Sequence, residues 1–313
     1  MLLAKIVLGI GASHTTLMNT AWHKVDHLDR AHRFRDGLNE AARRLAESRP
    51  DAVVIIGSNH FRGFWLDMMP AFTVGVGEIV SAGEHGTPAG DLPSHAALGQ
   101  QICDELLKRD FDVAFSARLT IDHGISHAVQ WLVQSTNCRI VPIVVNCFAP
   151  PLPSLRRARA FGEALGRILE ETSEVGRVAV IGTGGLSHQL PFPDWRAPRS
   201  DDDAFLAESF RLGRGRWQEF EQRRRSIVVN FPPRLNEEFD LRILDQLREG
   251  RLASLPDEWS DQELIAAAGN GAAEVRAWLI MAAALGYRKG EVLAYSPMPE
   301  WLTGMAVSVI ANH

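Results

Sequence analysis

The segment Ala52-Val53-Val54-Ile55-Ile56-Gly57-Ser58-Asn59-His60 decides the fold: an unbroken apolar run, then small and polar residues, then a histidine. A β-branched run of this kind reads as a strand buried on both faces, and such strands belong to a parallel sheet covered by helices. Its C-terminal end is where an open α/β sheet places a ligand. The same order occurs twice more: Ile6-Val7-Leu8-Gly9-Ile10-Gly11-Ala12-Ser13 runs into His14, and Val178-Ala179-Val180-Ile181-Gly182-Thr183-Gly184-Gly185-Leu186-Ser187 runs into His188. Three such strands side by side would gather three imidazoles at one sheet edge. The expectation is therefore an α/β protein with a central, mostly parallel or mixed sheet flanked by helices, a helical C-terminal region, and a single domain over residues 1–313.

Composition narrows the function. A chain of 313 residues with 46% hydrophobic and 23% charged residues has ordinary globular make-up and enough length for an ample core. Its net charge of -5 argues against a nucleic-acid surface, which would show a basic stripe. A membrane partner is not expected either, because no apolar run approaches the roughly 20 residues of a spanning helix. The opening Met1-Leu2-Leu3-Ala4-Lys5-Ile6 superficially resembles a secretory signal, but it is strand-like, lacks a small-residue cleavage site and leads straight to His14, so it reads as the start of the first strand. Cys103, Cys138 and Cys147 are odd in number and show no C-x-x-C spacing, which points to buried thiols in a reducing cytoplasm.

Along the chain, helical periodicity runs from about Val25 to Ser48, where Pro50 ends it. Residues 61–93 are rich in Gly, Pro and aromatics with one strand at Phe72 to Val76; so long a loop-rich stretch within a domain is usually functional. Ser94 is the expected cap of a helix to Lys108, and Asp112 to Ser116 a short strand. Residues 119–124 read as a turn before a helix at Ala128 to Val133. Ile140 to Asn146 and Val178 to Ile181 are strands on either side of a Ser154-capped helix, Leu155 to Glu171. Residues 194–235 form a densely charged insert, with Asp201-Asp202-Asp203 and Arg223-Arg224-Arg225, which reads as a solvated helical face in preference to an anion site. Helices follow over 236–286, then a Pro- and aromatic-containing segment, Tyr295 to Trp301, and an apolar end.

A lone histidine is more often a hydrogen-bonded loop residue than a ligand. His14 and His60, however, both follow buried strands at the ligand edge, and neutral imidazole is the commonest metal ligand. A third, carboxylate ligand would complete the two-histidine set that leaves open positions on ferrous iron. Glu237, Glu238 and Glu274 are the candidates. The apolar helix behind Glu274, with Val275, Trp278, Leu279 and Met281, must pack on the core and favours it, although spacing alone leaves the choice open. His123 and His188 lie on glycine-flanked turns, where backbone approaches a ligand closely, and a pair of imidazoles beside a metal suits proton transfer. Two other motifs fail. Gly9-Ile10-Gly11-Ala12-Ser13-His14 has histidine where a dinucleotide fingerprint needs glycine, and the Ser-His neighbours at 13/14 and 187/188 lack a nucleophile elbow.

Taken together, His14, Gly57-Ser58-Asn59-His60, Asp122-His123-Gly124, Gly184-Gly185-Leu186-Ser187-His188-Gln189 and the late Glu274-x-x-x-Trp278 resemble the class III extradiol ring-cleavage dioxygenases, nearest the 2,3-dihydroxyphenylpropionate 1,2-dioxygenase type and more distantly the protocatechuate 4,5-dioxygenase catalytic subunits. The resemblance spans nearly the whole chain, including Asp67-Met68-Met69-Pro70 and Pro299-Glu300-Trp301. It implies that His14, His60 and Glu274 hold one Fe(II), which settles Glu274 over Glu238. It also implies that His123 and His188 are the acid/base pair, with His123 as base, and that Asn59, Asp122, Gly185 and Ser187 contact substrate. The implied reaction cleaves a catechol-type ring beside its hydroxyls with O2, giving a hydroxymuconic semialdehyde or its ketone analogue, in a cytoplasmic homo-oligomer. The rivals are a zinc-type hydrolase on the same ligands, a non-catalytic member that kept the fold, and an aminophenol in place of the catechol. Departures from the family pattern concentrate in Thr15 to Asp36 and in 194–235.

Overall fold

The computed structural model describes residues 4–311, so Met1, Leu2 and Leu3, expected to open the first strand, lie outside the described residues. The strands are β1 (Lys5–Ala12), β2 (Ala52–Ser58), β3 (Phe72–Ala82), β4 (Ala89–Leu92), β5 (Ala114–Ile121), β6 (Arg139–Val145), β7 (Arg177–Thr183), β8 (Glu291–Met298) and β9 (Thr303–Ala311). They form one mixed sheet in the order β4-β3-β6-β2-β7-β1-β9-β8, with β5 alongside β3. Its centre, β6-β2-β7-β1, is parallel throughout. Alternation divides the buried runs between two layers. Val54, Ile56, Val178 and Val180 face the helices Leu155–Glu171 and Val275–Ala284, whereas Val53, Ile55, Ala179 and Ile181 face Leu28–Ser48.

The register of the central strands sets up the site. Gly182 of β7 lies beside Gly11 of β1 on one flank and Ile56 of β2 on the other. Chain segments leaving the three strands thus emerge together, and these segments carry His14, His60 and His188. The first helix follows the expected span with a later start, Leu28–Ser48, and the Leu155–Glu171 helix starts on the Ser154 hydroxyl, which accepts from the Arg157 N–H at 3.1 Å.

Several local expectations change. The Ala96–Lys108 helix is capped by the His95 ring, which accepts from the Leu98 N–H at 3.3 Å, while the Ser94 hydroxyl donates to the Gly77 carbonyl at 2.5 Å. The short strand expected at 112–116 is a longer one, β5, because it gains a parallel partner in β3. Residues 119–124 are therefore strand up to Ile121; Asp122 then caps a helix, His123–Ala128, that continues as a π-helical turn, Val129–Val133. The C-terminal segment is an antiparallel hairpin, β8 and β9, and β9 completes the sheet against β1. The three cysteines are buried and free, as expected. No helix among the described residues is long and apolar enough to cross a membrane.

Glycine lets the Val275–Ala284 helix lie directly on β7. A Cβ on Gly182 would sit 2.4 Å from the Ala277 carbonyl oxygen, and one on Gly184 would sit 2.5 Å from the Glu274 Cβ. Gly182→Ala is accordingly expected to lower the unfolding free energy by about 1–3 kcal/mol through overpacking, read from urea denaturation. An unchanged midpoint would contradict this account of the helix–sheet contact.

Candidate metal centre and active site

Glu274 ends a short helical turn, Asn270–Glu274, and directly precedes the Val275–Ala284 helix on the sheet. That position drives its carboxylate inward, to 1% exposure, whereas Glu237 and Glu238 are exposed at the start of the Glu237–Glu249 helix. Glu274 Oε1 stands 3.2 Å from His14 Nε2 and 3.6 Å from His60 Nε2, and Oε2 stands 3.6 Å from His188 Nε2. The structure thus brings the four sequence-expected residues together at the ends of β1, β2 and β7. The carboxylate also accepts from the Ser58 hydroxyl and, at 2.7 Å, from the Gly185 N–H. Burial works against its charge, but His14, His60 and His188 hold its pKa well below the usual carboxylate range.

Each imidazole is oriented from behind. His14 Nδ1 pairs with the Thr183 hydroxyl at 2.9 Å, leaving Nε2 buried and without a hydrogen-bond partner among the described residues. His60 is fixed twice by Asp122, whose Oδ2 accepts from the backbone N–H at 2.5 Å while Oδ1 lies 3.3 Å from Nδ1. Burial opposes protonation of His60, yet Asp122, Glu274 and Glu84 together hold its pKa above the ordinary value. A free nitrogen lone pair, a second imidazole and a buried carboxylate converging on one point fit a divalent metal, and the donor set is the one that suits ferrous iron with open positions. His123 also has a ring nitrogen within 4.8 Å of nitrogens on His14 and His60, so the centre offers more donors than one facial set needs. Glu84, Asp122 and His123 form a second acidic group of similar closeness, but its carboxylates are already engaged by Arg62, His123, His60 and Gly124.

His123 and His188 face the same cavity as His14, His60 and Glu274. His188 donates Nδ1–H to the Leu186 carbonyl at 2.9 Å, which leaves its Nε2 lone pair for the site. Burial lowers its pKa, with Glu274 opposing. His123 Nδ1 is held by the Glu84 carboxylate, which also accepts its backbone N–H at 3.0 Å. Burial and then the charge on His60 lower the His123 pKa to about 4, with Glu84 opposing. Both rings are thereby neutral near pH 7.

The four expected substrate contacts are placed otherwise. Asn59 closes a loop by exchanging hydrogen bonds with Phe64, both at 2.9 Å. Asp122 positions His60, Gly185 positions Glu274, and the Ser187 hydroxyl donates to buried Asp240 at 2.9 Å. None of the four lines the cavity. Residues not expected at the site line it instead: Arg62, Glu84, His85 and Glu221, together with Arg224 and Arg225, which were read as part of a solvated face. The first three come from the loop-rich 61–93 stretch already marked as functional. The last three come from the Trp217–Val229 helix of the charged insert, which is therefore not solely a solvated face: Arg223 pairs with Asp202 at the surface, whereas Arg224 is 6% exposed.

A family model described as the catalytic LigB subunit of aromatic ring-opening dioxygenase matches residues 8–306. The chain belongs to the LigB family, the class III extradiol dioxygenases. Within it, the chain is 33% identical over 308 residues to a 2,3-dihydroxyphenylpropionate/2,3-dihydroxicinnamic acid 1,2-dioxygenase of Klebsiella pneumoniae, covering 93% of this chain and 94% of the relative. It is 36% identical over 281 residues to the protein of that name in Paraburkholderia xenovorans, covering 85% and 86%. LigB membership makes this chain a ring-cleavage dioxygenase.

Asp240 underpins the loop that carries His188 in this LigB protein. It accepts from the Ser187 N–H at 2.7 Å and from the Ser187 and Tyr295 hydroxyls, each at 2.9 Å. Burial nevertheless raises its pKa from 3.8 to about 6. The folded protein therefore holds this proton more tightly than the unfolded chain does, and the resulting stability is fully present below about pH 3.8 and lost as pH rises through about 6. In urea titrations, the stability of wild type relative to Asp240→Asn should fall by up to about 3 kcal/mol between pH 4 and pH 7. A difference that stays flat across this window would show that Asp240 does not titrate there.

Proposed function

We propose that this chain uses Fe(II), held by His14, His60 and Glu274, to open a catechol-type ring beside its hydroxyls with O2. The observation that supports this most is the meeting of two imidazole nitrogens and one carboxylate oxygen at the floor of a cavity into which two further neutral imidazoles project. Bound there, ferrous iron would supply open positions for a ring diol and O2 and a path for charge between them.

The chain itself handles the protons and the fit. His123 accepts a ring-hydroxyl proton at Nε2, and the Glu84 carboxylate behind Nδ1 stabilises the imidazolium that results. His188, whose Nε2 lone pair faces the cavity from the opposite segment, takes up the second ring-hydroxyl proton and returns it to the oxygen that leaves when the ring opens. Leu190, Phe192, Val228 and Trp301 give the cavity an apolar wall for the ring, and burial of His14, His60, His188 and Glu274 keeps bulk water from the reacting atoms. Asn59, Asp122, Gly185 and Ser187 serve this arrangement as positioning residues.

Anaerobically purified, iron-loaded protein given substituted catechols should consume O2 and release a yellow ring-opened product. His14→Ala and His60→Ala should lose iron along with activity. His188→Ala should keep iron and bind catechol, while turnover falls by about 10^2–10^4-fold, the usual worth of a positioned acid or base. An iron-free His188 variant, or equal turnover with zinc and no O2, would overturn the assignment.

A further inference from the structure

Three strands, β4, β5 and β8, are each paired with a single strand among the described residues. A free edge presents unpaired N–H and C=O groups to any other chain, and proteins blunt it by shortness, proline, lysine or a covering group. β4 is only four residues long and carries Gly90 at a φ of 85°. β8 contains Pro297, whose carbonyl accepts from Arg30 Nη1 at 3.2 Å, and its Ser296 hydroxyl donates to the Arg30 carbonyl at 2.8 Å. β5, Ala114-Phe115-Ser116-Ala117-Arg118-Leu119-Thr120-Ile121, has eight residues and neither proline nor lysine. The irregularity in its pairing lies in β3, between Gly75 and Glu78, and leaves β5 continuous. Gly63 closes on its far end, where an added Cβ would stand 2.2 Å from the Thr120 carbonyl oxygen, so the open part is the first half.

That half exposes Phe115 at 64%, with Ala117 and Arg118 also exposed and Asp112 in the turn just before the strand. The stretch is complementary to itself. Laid antiparallel on a second copy about a two-fold axis at Phe115, it opposes ring to ring, Ala114 to Ser116, Val113 to Ala117, and Asp112 of each copy to Arg118 of the other. Other axes lose this match. An axis at Ala114 sets Arg118 against Asp110, which lies in a left-handed turn outside the strand at a φ of 61°. Axes at Ser116 or Ala117 leave Arg118 opposite Ala114 or Ser116, and one at Arg118 sets two arginines together. Aromatic and opposite-charge pairs are the cross-strand pairs that stabilise a sheet, and a two-fold interface needs the same patch on both copies.

The edge also bears on the site. β5 runs through Ile121 into Asp122, which fixes His60, and into His123. By contrast, β1, β2 and β7, whose ends lead to His14, His60 and His188, have strands on both sides.

We infer that β5 pairs antiparallel with β5 of a second copy of this chain, about a two-fold axis at Phe115, joining the two sheets and bracing the strand that delivers Asp122 and His123.

Sedimentation equilibrium of the full chain should show a dimer or a multiple of one. Arg118→Asp and Asp112→Arg each set like charges opposite one another twice, and each should raise the dissociation constant at least about tenfold. The double variant Asp112→Arg/Arg118→Asp should associate more tightly than either. Under oxidised glutathione, Phe115→Cys should form a disulfide-linked dimer, because residues facing each other across the axis lie within the Cα span of a disulfide. Ala117→Cys, about 13 Å from its own copy in this register, should not. The native thiols are buried and do not compete. Thermal melts establish that each charge variant is folded, and where one is not, the linkage comparison decides alone. A wild type that is monomeric at every concentration, charge variants that associate as tightly as wild type, a double variant no better than the single ones, or linkage at 117 as ready as at 115 would each overturn the pairing.

Discussion

One buried negative charge organises this molecule. The Glu274 carboxylate lies out of solvent among the ring nitrogens of His14, His60 and His188. A carboxylate in such a place is tolerable only if it is surrounded by donors and positive charge. The Ser58 hydroxyl, the Gly185 N–H and the imidazoles supply those here, and every one of them is delivered by the end of a central strand. Sheet, helix and site are thus one construction: the close seating of the Val275–Ala284 helix on β7 puts the charge where the strand ends can answer it.

A second layer of carboxylates holds the imidazoles. Asp122 fixes His60, Glu84 fixes His123, and Asp240 fixes the backbone and hydroxyl of Ser187 next to His188. Supporting groups of this type set ring orientation and tautomer, which for histidine chemistry matters as much as the ring's presence. His188 shows the effect simply: a hydrogen bond from Nδ1 to a carbonyl leaves the other nitrogen for the cavity. Asp122 and Gly185, first expected to touch substrate, hold His60 and Glu274 from behind.

The helices of the charged insert change the character of the cavity. They add Glu221, Arg224, Arg225 and Val228 to a lining that already holds Arg62 and Glu84, and Glu221 extends to His85 the network that runs from His123 through Glu84 and Arg62.

The sequence by itself determined the central strands, the two long amphipathic helices, the histidines at the strand ends and the family resemblance, because buried β-branched runs and helical periodicity are local signals. It also marked 61–93 as functional on composition. It did not disclose β8 and β9, whose alternation is masked by Pro297, Pro299 and an apolar end, nor the cap at His95, nor the places of Glu84 and Arg224 in the cavity lining. Those depend on partners far along the chain: Glu84 meets His123 across 39 residues, and Glu274 meets Ser58 across 216. A charge reads as solvated until something is packed over it. Only the tertiary structure decided which of Glu237, Glu238 and Glu274 is buried, and which arginine of 223–225 turns inward, since burial belongs to the assembled fold and not to any residue within it.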